Sequence, residues 1–145
     1  AVSDSQARRA ELAQARLILT TSIARSYAEL ARLMADRATT EKALEIRTKT
    51  WVLFNERQQQ GLENMGAVSQ AASKKYLAEN DLVQIDIRIA EARNRLAALV
   101  GAGPDRGLKI TPPQTLLQVN YALPTDAGIN LVGRRPDIVA TRWQA

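Results

Sequence analysis

An all-α fold, a long antiparallel coiled-coil helical hairpin followed by an irregular segment and the start of a further helix, is predicted by three features of the sequence. Residues from Ser3 to Gln60 contain neither Pro nor Gly. A cluster of breakers, Gly61, Asn64 and Gly66, interrupts the pattern once. From Val68 a second tract carries an unbroken alternation of three and four spacings as far as Leu99, the mark of a helix with one continuous apolar seam.

The first tract is expected to start at Ser3 or Asp4, either of which suits a helix cap, and to run to about Gln60. At 1.5 Å per residue that is roughly 85 Å of helix, more than a compact domain of 145 residues accommodates. Its apolar row, Leu12, Leu19, Ile23, Leu30, Leu33, Leu44, Trp51 and Phe54, has gaps at Arg16, Ser26, Arg37, Thr40 and Arg47. A bend is therefore expected near Arg37 to Thr40. A second row, Ile23, Tyr27, Leu30 and Met34, predicts neighbours on more than one side.

Arg57 through Ser69 reads as the tip. Gly tolerates the left-handed conformation that ends a helix, so Gly61 serves as a terminal cap and the chain reverses over residues 61–67. The second seam is Val68, Ala71, Lys75, Ala78, Leu82, Ile85, Ile89, Ala92, Leu96 and Leu99, with Lys75 the one position that is not apolar. Val83, Ile85, Ile87 and Ile89 alternate as in a half-buried strand, but the length of the seam decides for helix. Small residues at Ala71, Ala78 and Ala92 allow close helix axes; an ordinary helical bundle satisfies the same pattern.

Gly101-Ala102-Gly103-Pro104 ends that helix, since Gly permits the reversal and Pro blocks continuation. Asp105 to Val132 lacks periodicity and reads as irregular, with a short helix after Pro124-Thr125-Asp126. Gly133-Arg134-Arg135-Pro136-Asp137-Ile138 then opens a helix, with Pro136 at its first position and Asp137 near its positive end. The sequence stops three turns later and does not begin with Met, so it reads as a piece of a longer protein.

Composition narrows the function. Hydrophobic residues make up 46% but aromatics only 4%, which favours closely packed helices. The chain has no Cys and no His, so thiol and imidazole chemistry, disulfides and the usual zinc or haem ligands are excluded. The net charge of +5 is dispersed among acidic residues rather than gathered into a basic patch, and this argues against nucleic acid. Pairs such as Glu29 with Arg32 or Asp81 with Asp86 have no pocket logic, so no enzyme, cofactor or metal is expected.

Three stretches together resemble one family. Leu123-Pro124-Thr125-Asp126, with Gly133 through Trp143, resembles the signature of TolC-like outer-membrane efflux factors in the NodT-type and fusaric-acid-resistance-type lipoprotein branch. Arg95 through Leu108 is similar to the end of that family's returning helix. Arg57 through Ala71 is similar to its periplasmic tip, departing from it at Gly66 and Ala67, where an apolar residue and Asp are usual; the departures bear on how the second helix is capped.

The resemblance implies residues 1–100 as the first periplasmic hairpin, 101–133 as an equatorial segment and 134–145 as the start of the second repeat. It implies a homotrimeric outer-membrane channel with a periplasmic helical tunnel, serving an inner-membrane pump through a periplasmic adaptor. Arg57, Gly61, Leu62, Glu63 and Asn64 then match the tip that meets the adaptor. Gly133, Arg134, Arg135, Pro136 and Asp137 match a structural signature, expected as half-buried arginines paired with carboxylates at a helix start. Leu82, Ile85, Ile89, Leu96 and Leu99 are the seam that holds the stave together. The rival reading is a coiled-coil or spectrin-like bundle without a transport role; the signature around Arg135 speaks against it. An adaptor would carry flanking β-rich, lipoyl-like sequence, and none is present.

Overall fold

The structure, a computed structural model, describes residues 2–111 and 129–144. The fold is all-α. Helix α1 spans Val2–Gln59, α2 Met65–Leu99, α3 Pro104–Leu108 and α4 Pro136–Gln144, with a 3-10 helix at Ile129–Arg134 before α4. The expected short helix after Pro124 lies outside the described residues. The chain divides into two compact units, residues 26–112 and residues 1–25 with 113–145, and the boundary falls inside α1.

In the unit 26–112, α1 and α2 run antiparallel, because contacting residues climb one helix as they descend the other. Arg37 meets Asp86, Trp51 meets Lys75, and Arg57 lies beside Glu63. On α2 every seam position from Val68 to Leu99 is buried or half-buried. Val68, Ala71, Ala78, Ile89, Ala92 and Leu96 are the buried ones, joined by Ala97. Leu30 and Leu33 supply the buried aliphatics of α1. Each large side chain removed from water in this way is worth about 1.5–3 kcal/mol.

The row on α1 differs from expectation. Ser26, Arg37 and Thr40 are not gaps in the packed face; they lie on it, buried or half-buried, in line with Leu30, Leu33, Leu44 and Trp51. Polar side chains occupy seam positions and hide the period. Arg37 satisfies itself there by donating from Nε to Asp86 Oδ1 at 2.6 Å, and from Nη1 to Glu41 Oε2 at 3.1 Å. The helix accordingly runs through residues 37–40 without interruption. The start also differs: Ser3 and Asp4 lie inside the first turn, where Asp4 faces Arg8 at 3.5 Å.

The same reversal device closes both long helices. The Leu62 N–H donates to Arg57 O at 2.8 Å and the Gly61 N–H to Gln58 O at 3.0 Å. After α2, the Ala102 N–H donates to Ala97 O at 2.9 Å and the Gly101 N–H to Ala98 O at 3.0 Å. This paired pattern needs a left-handed residue between helix and exit, and Gly61 and Gly101 have φ of 75° and 72°. Helix α3 was not foreseen: Pro104 stops α2 from continuing but also opens this five-residue helix as its first residue. Gly107 of α3 is buried against α2, and the Tyr27 hydroxyl donates to Thr111 O at 3.4 Å.

In the other unit, Ala7, Ala10 and Ala140 are buried, and Gln144 Nε2 donates to Glu11 Oε1 at 2.9 Å. Leu12 and Leu19 of the predicted apolar row are exposed; no element among the described residues covers them. No described helix is long and apolar enough to cross a membrane.

Candidate functional site

The hairpin tip is a short, hydrogen-bonded turn that presents apolar side chains to solvent. The left-handed Gly61 ends α1, and Leu62 follows with 64% of its surface exposed. Glu63 folds back: its Oε1 accepts from the Asn64 N–H at 3.3 Å, and Oε2 is 4.0 Å from Arg57 Nε. Asn64 then caps α2. Its backbone is extended and its side-chain Oδ1 accepts from the Ala67 N–H at 2.8 Å.

That cap bears on the departure at Ala67. A cap at Asn64 uses the backbone N–H of residue 67, so it forms with Ala there, without the favourable charge that Asp would place at the positive end of α2. Asn64→Ala is expected to destabilise the hairpin by about 0.5–2 kcal/mol, read from urea unfolding followed by far-UV circular dichroism. Asn64→Asp, which keeps an acceptor, should stay near the parent, and equal losses in the two variants would refute the cap.

All five predicted tip residues are thus brought into one turn and its flanks. Met65, 66% exposed, belongs with Leu62 but was missed by sequence reasoning, since its position at the first turn of α2 depends on which residue caps. What the turn offers is a capped, low-entropy projection with two apolar side chains, one cation and one carboxylate, suited to contact rather than chemistry. Among the described residues no group of acidic side chains could hold a metal.

The signature residues sit elsewhere, in the unit containing α4. Gly133 and Arg134 end the 3-10 helix, and Pro136 is the first residue of α4. Arg135 grips Asp137 with both arms of its fork, Nη2 to Oδ2 at 2.6 Å and Nε to Oδ1 at 3.2 Å. The arginines are exposed, not half-buried as expected: the pair closes over two residues of local chain, so it needs no enclosing wall.

The Arg135 hydrogen bond holds the Asp137 carboxyl below its ordinary value, and the Ile138 N–H adds to this. A carboxyl depressed in the folded chain stabilises above its unfolded value, about 3.9, and that contribution is lost as pH falls through the folded value. Titration of the Asp137 carboxyl carbon by NMR should give a midpoint under the ordinary one. Arg135→Ala should bring it back up; an unchanged midpoint would dismiss the pair.

No protein-family model matches the chain. Curated proteins and a solved structure do. The chain is 33% identical over 143 residues to the fusaric acid resistance protein FusA of Burkholderia cepacia, covering 99% of the chain and 27% of the relative. It is 34% identical over 83 residues to the multidrug resistance outer membrane protein MdtP of Escherichia coli K12, covering 57% of the chain and 17% of the relative. Among solved structures it is similar to the outer membrane protein VceC of Vibrio cholerae, with a TM-score of 0.87 and 43% identity over 99% of the chain and 33% of that protein.

FusA is named for resistance to fusaric acid, and MdtP and VceC are outer membrane proteins, so the resemblance to TolC-like efflux factors read from the sequence is borne out. None of the three is named as an enzyme. The chain spans between a quarter and a third of the length of FusA and VceC, at 27% and 33%.

Proposed function

We propose that the chain is the periplasmic helical part of a trimeric outer-membrane channel in a tripartite efflux pump, exporting drugs or other small toxic compounds. Its hairpin tip, Arg57 with Gly61 to Asn64, docks the hairpin of a periplasmic adaptor, and the inner-membrane pump is reached only through that adaptor. The observation that carries the reading is the 43% identity with VceC at a TM-score of 0.87, across 99% of the chain. The exposed Leu62 on a capped turn supports the docking role, since a contact surface gains affinity when its apolar anchor is held in place beforehand.

The test is a graft. The chain replaces the matching third of VceC, and growth of a channel-deficient strain is measured in a toxic compound. Restored growth is expected. Leu62→Asp in the graft should lower growth and cross-linking to the adaptor while leaving the outer-membrane level of the protein unchanged. A graft that assembles in the membrane yet restores no growth would favour the rival reading of a purely structural helical module.

A further inference from the structure

We propose that Lys75 is the register lock of the hairpin, an ammonium held on the Trp51 ring of α1 that fixes the level at which α2 lies along α1. The seam of α2 falls into two rows of heptad spacing: Val68, Lys75, Leu82, Ile89 and Leu96, and Ala71, Ala78, Ile85, Ala92 and Leu99. A slip of one heptad exchanges one small or aliphatic residue for another in either row, so apolar packing alone discriminates poorly between registers. A single charged residue in such a row distinguishes them, because it has a satisfying partner at one level only.

The geometry supplies that partner. Lys75 Nζ is 5.0 Å from the centroid of the Trp51 ring and 5.2 Å from that of Tyr76, within the range in which a ring face attracts a cation. Glu79 Oε1 is 3.3 Å away, and the Lys75 side chain is only 20% exposed. Tyr76 and Glu79 travel with Lys75 on its own helix; Trp51 does not. One heptad from Trp51 along α1 stand Leu44 and Gln58, neither of which has a ring. A slipped hairpin therefore leaves the ammonium facing α1 without its π partner.

Two other features bear on register. The Arg37–Asp86 bridge also crosses the helices, but its side chains are 37% and 48% exposed and water competes for them. The capped turn sets the register as well, so the test must weaken it. The chain has no native Cys, which permits disulfide trapping. Leu33 and Ala92 line one cleft in the observed register; one heptad of slip brings Ile85 or Leu99 to the level of Ala92.

Cys pairs at 33 and 92, 33 and 85, and 33 and 99 are placed in a chain whose turn is loosened by Gly61→Ala with Asn64→Ala, and oxidised at a dilution that excludes dimers. With Lys75 present, only the pair 33 and 92 should close. Lys75→Met should raise closure of a shifted pair from background to a level comparable with the native pair, while thermal melting stays level or rises, because an apolar residue suits the seam. Lys75→Arg, which keeps a cation over Trp51, should restore the single register. The proposal is overturned if Lys75→Met closes only the native pair, or if Lys75→Arg slips as much as Lys75→Met. It is equally overturned if the loosened chain slips with Lys75 in place.

Discussion

Leu30→Ala is expected to cost about 2–5 kcal/mol, the range for emptying a fully buried leucine site. Leu30 is 0% exposed, the most completely enclosed large side chain of the described core. It lies on the packed face of α1 between Ser26 and Leu33, at the end of the hairpin where Leu96 and Ala97 of α2 are also buried. Alanines cannot extend into a void, and both backbones there are helical, so the site has little freedom to collapse. The measurement is urea unfolding of the parent and variant followed by far-UV circular dichroism. Leu12→Ala is the control: Leu12 is 53% exposed, and its replacement should change stability by no more than about 0.5 kcal/mol. Similar effects at the two positions would mean that the hairpin root is not the packed centre of its unit.

The contrast between these leucines also shows what a sequence can and cannot disclose in such a protein. Leu12 and Leu30 belong to the same apolar row and have the same side chain, yet one is bare and one is sealed. Periodicity identifies a face; only the partner helix decides which part of it is covered. On α2, where a polar residue enters the seam once, the row was legible in full, and so were the two helix ends marked by Gly61 and Gly101. On α1 the seam contains Ser26, Arg37 and Thr40, and hydrophobicity therefore underreports it. The signal that could have recovered Arg37 was Asp86, an acidic residue beside the α2 seam at the matching level of an antiparallel pair.

The site was legible to a different degree. Gly61 and Asn64 carry their roles in their residue types, one by tolerating positive φ and the other by accepting a backbone N–H, and the tip was placed accordingly. Met65 carries no such mark, because exposure at a helix start is a property of the turn. The arginines of the signature were misjudged for a related reason. A guanidinium that can close a fork on a carboxylate two residues away satisfies itself locally, so the residue types alone do not imply burial.

Gly107→Ala should have the second large effect, about 1–3 kcal/mol, as for other overpacked sites. A Cβ at residue 107 would stand 2.8 Å from the Arg93 carbonyl oxygen and 3.1 Å from its carbon. The obstacle is backbone inside α2, held by that helix's own hydrogen bonds, so α3 rather than α2 must yield. When α3 lifts, the Tyr27 contact to Thr111 O is drawn apart as well, since Thr111 lies on the segment that α3 holds down while Tyr27 stays on α1. Hydrogen exchange is the direct readout: the amides of Arg106, Lys109 and Ile110, which bond within this turn, should exchange faster, while those of α1 beyond Leu33 keep their protection. Leu108→Ala, one residue away but 67% exposed, should leave all of them as they were. If both substitutions behave alike, the close approach of α3 to Arg93 is not what holds the chain against the hairpin, and the buried glycine would need another explanation.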